Sequence, residues 1–283
     1  MAELRKISCR EISKTLRDLF IDVNYNLGDD VLDALKHAAD TEESELGRYA
    51  LGRIIENVDI ADRESLPLCQ DTGLAVVFVE VGQDVHIVDG DLYDAIQSGV
   101  REAYREGFLR KSVCDPLSRE NTSDNTPAVI HADIVRGDTI RIIAMPKGGG
   151  SENMSSSVVL LPADGIEGIQ RHVVDMVKKA GPNPCPPVIV GVGIGGSIEL
   201  SALLAKKALL RPVGEENSQD SRLSTMESEI LKEVNALGVG PQGYGGATTA
   251  LAVHIEMMPC HIASLPVSVN IQCHVARHGE AII

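Results

Sequence analysis

Leu74-Ala75-Val76-Val77-Phe78-Val79-Glu80-Val81 is an almost unbroken apolar run of strand length, bounded by turn residues. A run this short and this apolar reads as a buried strand. Whatever else the chain does, it must cover that strand. The flanking segments supply the cover. Over the first 62 residues Ile7, Ile12, Leu16, Leu19 and Val23 recur at near-helical spacing, and a second helix is expected over Glu43–Glu56. Leu66-Pro67-Leu68-Cys69 breaks that pattern. Leu92–Phe108 reads as a helix. Ala128–Val135 and Thr139–Met145, joined by Arg136-Gly137-Asp138, read as a β-hairpin. Ile166–Val177 is a further helix, and Pro187–Val192 a short apolar strand. Ser197 is expected to cap a helix that runs to Leu210 and stops at Pro212. Gly214–Ser221 is polar and reads as a loop. Leu223, Met226, Ile230, Val234 and Leu237 form an amphipathic stripe closed by Gly238, and Ala247–Ala276 reads as β-rich. The expected architecture is therefore mixed α/β, a single domain over residues 1–283, with a helical segment over 1–62 packed on a mixed sheet. Aromatic residues are only 3% of the chain and Trp is absent, so its core must be aliphatic.

Charge narrows the partners. Lys and Arg number 26 against 41 Asp and Glu, a formal net charge of -15. Such a surface repels nucleic acid and anionic membranes, and an anionic substrate needs a local basic site. No apolar stretch reaches the roughly 18 residues of a membrane span. Met1-Ala2-Glu3-Leu4-Arg5-Lys6 lacks the apolar centre of a signal peptide, so a cytoplasmic protein is expected. The six cysteines, at positions 9, 69, 114, 185, 260 and 273, are too dispersed for a disulfide framework or a C-x-x-C metal site. Any shared ligand must draw them from distant segments.

Four segments concentrate chemistry. Pro67-Leu68-Cys69-Gln70-Asp71-Thr72-Gly73 puts a thiol, an amide, a carboxylate and a hydroxyl together just before the buried strand. Lys147-Gly148-Gly149-Gly150-Ser151-Glu152-Asn153 is a glycine-rich turn, either a flexible loop or a nest of N–H groups for a carboxylate. Asn183-Pro184-Cys185-Pro186-Pro187 holds a cysteine among prolines, which stiffen the chain around a thiol, in a structural turn or as a metal ligand. Asn270-Ile271-Gln272-Cys273-His274-Val275-Ala276-Arg277-His278 sets a cysteine among two imidazoles and a guanidinium, positive neighbours that favour the thiolate. His261 follows Cys260 just upstream. A fifth segment, Gly191-Val192-Gly193-Ile194-Gly195-Gly196, matches the glycine spacing of a dinucleotide turn. That reading needs a second strand ending in an acidic residue about 20 residues on. Glu215 and Glu216 stand at that distance, but no apolar strand leads into them. A tight turn where backbone approaches a cofactor or substrate is the expected role.

Taken together, Leu68–Gly73, Lys147–Asn153, the proline-flanked Cys185, Gly193–Gly196 and Cys273–His278 resemble the class I fumarate hydratases and the related L(+)-tartrate dehydratase alpha subunits. The motifs stand in family order over nearly the whole chain. The resemblance implies a [4Fe–4S] cluster held by Cys69, Cys185 and Cys273, carried by the mixed-sheet domain, with Cys9, Cys114 and Cys260 structural. It implies substrate-binding roles for Gln70, Arg110 and the Gly150 backbone, and acid–base roles for Asp71 and His261. The activity implied is reversible hydration of fumarate to (S)-malate, a step of the tricarboxylic acid cycle, with tartrate as the alternative small dicarboxylate. Single-chain members carry a second domain that adds side chains to the substrate. This chain stops at Ala281-Ile282-Ile283, so a separate beta subunit is expected to complete the site, in an alpha2beta2 assembly. An NAD(P)-dependent oxidoreductase and a non-catalytic iron–sulfur protein are the other readings.

Overall fold

The structure, a computed structural model, describes residues 4–218 and 220–283. Met1–Glu3 of the N-terminal stretch and Gln219 of the polar loop lie outside the described residues. The chain begins with β1 (Arg5–Ser8), α1 (Cys9–Tyr25), α2 (Asp29–Thr41) and α3 (Glu45–Glu64). It continues through β2 (Leu74–Gly82), β3 (Val85–Val88), α4 (Leu92–Glu106), β4 (Val129–Val135), β5 (Ile140–Lys147) and the single turn α5 (Gly149–Glu152). Then come β6 (Ser156–Leu160), α6 (Gly165–Ala180), β7 (Val188–Gly195), α7 (Ile198–Ala208) and α8 (Ser221–Ala236). The strands β8 (Ala250–Met258), β9 (Leu265–Gln272) and β10 (Gly279–Ile282) end it. The mixed α/β architecture expected from the sequence is what forms. Two compact units divide it. The first holds the described residues up to Gly28, with Val58–Gly149 and Arg277–Ile283; the second holds Asp29–Asn57 and Gly150–Ala276.

In the first unit the apolar run becomes β2, at an inner position of a four-stranded sheet of order β10-β5-β2-β4. Ala75, Val77 and Val79 point into a core shared with Ile12, Leu16 and Phe20 of α1, and with Ile96, Val100 and Ala103 of α4. Val76 and Phe78 on the opposite face are also buried. Burying each Val or Ile side chain contributes about 1.5–3 kcal/mol, which is why a continuous apolar run is stable only inside. Ser8 caps α1, its hydroxyl accepting the Glu11 N–H at 3.2 Å. Asp91 caps α4, accepting from Tyr93 N and Asp94 N. Arg5–Ser8, read as part of a helical segment, is instead a strand pairing parallel with β3.

The expected hairpin does not form. β4 and β5 both pair with β2, β4 parallel and β5 antiparallel, so β2 stands between them. Their connection arches over the end of β2, where Gly82 N donates to Thr139 O at 2.9 Å and Asp84 N to Gly137 O at 2.9 Å. A Gly-containing turn between two apolar runs signals a reversal of direction. It does not say whether a third strand fills the space between.

The second unit is built on β7, buried along its whole length between β8, parallel, and β9, antiparallel. Val190, Val192 and Ile194 face a core with Ile169, Val173 and Val177 of α6 and Met226, Ile230 and Val234 of α8. The alternate residues Gly191 and Gly193 face α7. A Cβ on Gly191 would meet the Ala205 carbonyl oxygen at 2.1 Å, and one on Gly193 the Ser201 carbonyl oxygen at 2.0 Å. These glycines are therefore inside a strand and admit a helix backbone. That corrects the expectation of a ligand turn at their positions, and removes the support they lent to a dinucleotide reading. Only Gly195 and Gly196, with φ of 87° and 64°, make a turn.

Glu42 ties the α2–α3 link to the segment before β8. It is 2% exposed, and its carboxylate accepts N–H groups from Ser44 at 3.1 Å, Ala247 at 2.9 Å and Thr248 at 2.9 Å. Burial alone would raise its pKa, but the backbone donors outweigh that and hold it below the ordinary 4.5. A depressed carboxylate contributes stability that is present above the ordinary value and lost as pH falls through the lower folded one. Glu42→Gln should cost about 2–3 kcal/mol at neutral pH, since its amide presents N–H to N–H. Urea unfolding across pH should show wild type and variant converging as pH falls below 4.5 and through the lower folded value.

Candidate functional site

In the first unit the residues flanking Cys69 are clamped by a buried polar network. Leu68 N donates to the Asn24 carbonyl at 2.8 Å. Arg277, 2% exposed, reaches both sides: Nη1 donates to Asn24 Oδ1 at 3.0 Å and Nη2 to the Asp71 carbonyl at 2.8 Å. The buried Tyr104 hydroxyl lies 2.6 Å from the Thr72 carbonyl and 3.0 Å from that of Gly73. Burial pushes the Tyr104 phenol up, so it remains a donor. Asn125 donates from Nδ2 to the Gly73 carbonyl at 3.2 Å, while its Oδ1 accepts from Ser112 N and Val113 N. The Thr72 hydroxyl donates to the Arg110 carbonyl at 2.9 Å, which draws the Arg110 segment to the loop. The first unit thus brings together Cys69, Gln70, Asp71 and Arg110.

Within that loop the Asp71 carboxylate accepts on both oxygens, Oδ1 from Gly73 N at 3.0 Å and Oδ2 from Gly149 N at 2.8 Å. Asp71 N points at Cys69 Sγ, 3.4 Å away. Gln70 and Arg110 are exposed, and Cys69 and Asp71 half-buried. Tyr104→Phe removes one donor shared by two carbonyls, of which Gly73 keeps Asn125. The expected loss is about 1–2 kcal/mol, read by denaturant unfolding, with faster amide exchange at residues 69–73.

The second unit holds the other predicted residues. Cys185 is exposed, in the turn after α6, with a positive φ of 56°. Its carbonyl lies 2.9 Å from His274 Nδ1 and 3.5 Å from His274 N. Gln242 Nε2 lies 3.2 Å from the same ring nitrogen. Gln242 braces the same turn, its N and Nε2 both donating to the Pro186 carbonyl. The Cys185 turn and the Cys273-His274 segment therefore lie side by side. A Cβ on Gly150 would meet the Asn183 carbonyl oxygen at 3.7 Å, so the glycine turn borders the same place. His261 is exposed between β8 and β9, its Nδ1 accepting Ala263 N at 3.1 Å, and its hydrogen bonds stay within its own turn. The Arg277 guanidinium is engaged with Asn24 and Asp71 in the first unit.

None of the six cysteines is in a disulfide. Among the described residues no three His, Cys, Asp or Glu side chains converge as they would on a single metal ion. A cluster makes a different demand, because each thiolate ligates its own iron. Asn24, Tyr104 and Asn125 were not singled out in the sequence. The one available signal was a polar residue on the buried side of a helix, as Asn24 is beside Phe20 and Val23.

The profile described as Fumarate hydratase (Fumerase) matches residues 13–282. A protein assigned as L(+)-tartrate dehydratase subunit alpha in Methanocaldococcus jannaschii is 44% identical over 275 residues, 95% of this chain and 96% of that one. Proteins named L(+)-tartrate dehydratase subunit alpha in Escherichia coli and Shigella sonnei are each 33% identical over 265 residues, 92% of this chain and 87% of theirs. By sequence the chain falls among the hydro-lyases. The chain belongs to the fumarate hydratase family. No helix among the described residues is long and apolar enough to cross a membrane.

Proposed function

We propose that the chain is the cluster-bearing alpha subunit of a hydro-lyase that interconverts fumarate and (S)-malate, active with a separate beta subunit. The observation that carries the reading is the pairing of the Cys185 turn with the Cys273-His274 segment, with Gly150 beside it. Cys69 supplies the third thiol from its clamped loop. Three thiols on loops braced by hydrogen bonds, none used in a disulfide, are the donor set that suits an iron–sulfur cluster. When bound, the cluster supplies a Lewis acid for the substrate's oxygen atoms at the iron that the three thiolates leave open.

The chain's own residues do the rest. Arg110 and Gln70, exposed beside the Cys69 loop, bind substrate carboxylate and hydroxyl groups, Arg110 by bidentate pairing. The Gly150 N–H holds a carboxylate. Asp71 or His261 moves the proton at the carbon next to the hydroxyl-bearing one, with the opposing group from the beta subunit. Because its Nδ1 accepts from Ala263, neutral His261 carries its proton on Nε2 and is set to donate there. The small dicarboxylate binds without nucleic acid or membrane, in the cytoplasm, in an alpha2beta2 assembly.

L(+)-tartrate is the second reading, favoured by the names of the relatives reported above. Anaerobic assay of the alpha–beta pair with (S)-malate and L(+)-tartrate in parallel separates the two. We expect kcat/KM to favour malate. Turnover of tartrate alone would assign the second reading, and turnover of neither would reject the hydro-lyase proposal.

A further inference from the structure

The turn that carries Gly150 does not hold its own shape. α5 is four residues long and two of them are glycine. One helical turn fixes more backbone freedom than its hydrogen bonding repays, and glycine adds to that cost. Something outside it must hold it. Glu152, its last residue, is fastened twice. Lys206 Nζ lies 2.5 Å from Oε1, and Asn270 Nδ2 donates to Oε2 at 3.0 Å. Neither partner is on a loop. Lys206 is on α7, which sits against β7 at Gly191 and Gly193, and Asn270 is on β9. A buried hydrogen bond of 2.7 Å between the Ser201 and Ser268 hydroxyls joins α7 to β9 directly.

The Lys206 side chain is 15% exposed and Asn270 6%, so both partners are better shielded from water than the Glu152 side chain they hold, which is 33% exposed. Both line a cavity of about 250 Å³ with Glu152, Ser155 and Ser268. Asn270 Oδ1 is buried with no partner among the described residues. Flipping the amide would turn that oxygen onto the Glu152 carboxylate, so the amide is held as a donor to Glu152 although its acceptor goes unused.

We infer that Glu152, gripped by Lys206 and Asn270, is the positioning residue that fixes the glycine turn so that the Gly150 N–H meets a substrate carboxylate. The inference rests on the substrate role proposed for Gly150. An interaction made equally with substrate and transition state appears in KM and leaves kcat unchanged.

The test compares Lys206→Met, Lys206→Arg and Asn270→Ala in the alpha–beta pair with (S)-malate, alongside amide exchange at residues 149–152 and iron content. We expect Lys206→Met to raise KM about tenfold with kcat nearly unchanged, to speed exchange in the turn, and to leave iron content at the wild-type level. Lys206→Arg should restore both readouts. If Lys206→Met does not fold, Asn270→Ala takes its place with the same expectation. Unchanged KM and unchanged exchange would overturn the inference, as would a fall in kcat with KM constant. A wild-type pair without turnover would instead overturn the substrate reading, and the exchange data would still decide the tether.

Discussion

Cys185→Ser in the assembled alpha–beta enzyme is expected to remove hydratase activity, and Cys69→Ser and Cys273→Ser to do the same. Serine is nearly the size of cysteine, so the turns should survive. Cys185 in particular is exposed and its carbonyl, not its sulfur, makes the bonds to His274. What is lost is a soft thiolate donor for iron. A metal acting as Lewis acid supplies several kcal/mol of transition-state stabilisation, so activity should fall by about a thousandfold or more. The same changes at Cys9, Cys114 and Cys260 should be nearly silent. Cys9 and Cys260 point at backbone carbonyls of Asp91 and Ser264, bonds that a serine hydroxyl can also make. Iron and sulfide analysis after anaerobic reconstitution, with electron paramagnetic resonance after mild oxidation, separates loss of the cluster from loss of the fold. Full activity in any one of the three variants would remove that cysteine as a ligand.

The expected contrast between the two sets of cysteines rests on local motifs in the sequence: prolines around Cys185, a polar cluster around Cys69, imidazoles beside Cys273. The strands β2 and β7 were legible for a similar reason, since burial writes itself as a continuous apolar run. What escaped depends on partners distant along the chain. Gly191 and Gly193 look alike whether they cradle a phosphate or a helix backbone, and only the position of α7 decides. The segments β4 and β5 look like a hairpin until β2 is placed between them. That the Arg277 guanidinium bonds to Asn24 and Asp71, 253 and 206 residues earlier, has no local signal at all. Local spacing points to candidate loops. It does not identify what holds them.

Arg277→Met is the measurement that weighs such a hold. Each hydrogen bond from a charged donor contributes about 1.5–3 kcal/mol, and Arg277 makes two, to Asn24 Oδ1 and to the Asp71 carbonyl. Its Nε is buried with no partner among the described residues, a native cost of about 1–3 kcal/mol that methionine would relieve. The balance is a loss of about 2–4 kcal/mol, because two charged bonds outweigh one orphaned donor. Activity should fall further than stability alone requires. Freed at Asp71, the Cys69–Gly73 loop loses its grip on one side while Tyr104 and Asn125 keep the other. A misplacement of about 1 Å costs about a hundredfold where reacting groups must be aligned. Arg277→Lys keeps the charge but not the fork, reaches one acceptor at a time, and should fall between wild type and Arg277→Met in both denaturant unfolding and kcat/KM. A methionine variant as stable and as active as wild type would mean that the loop is held by Tyr104, Asn125 and Asn24 without the guanidinium.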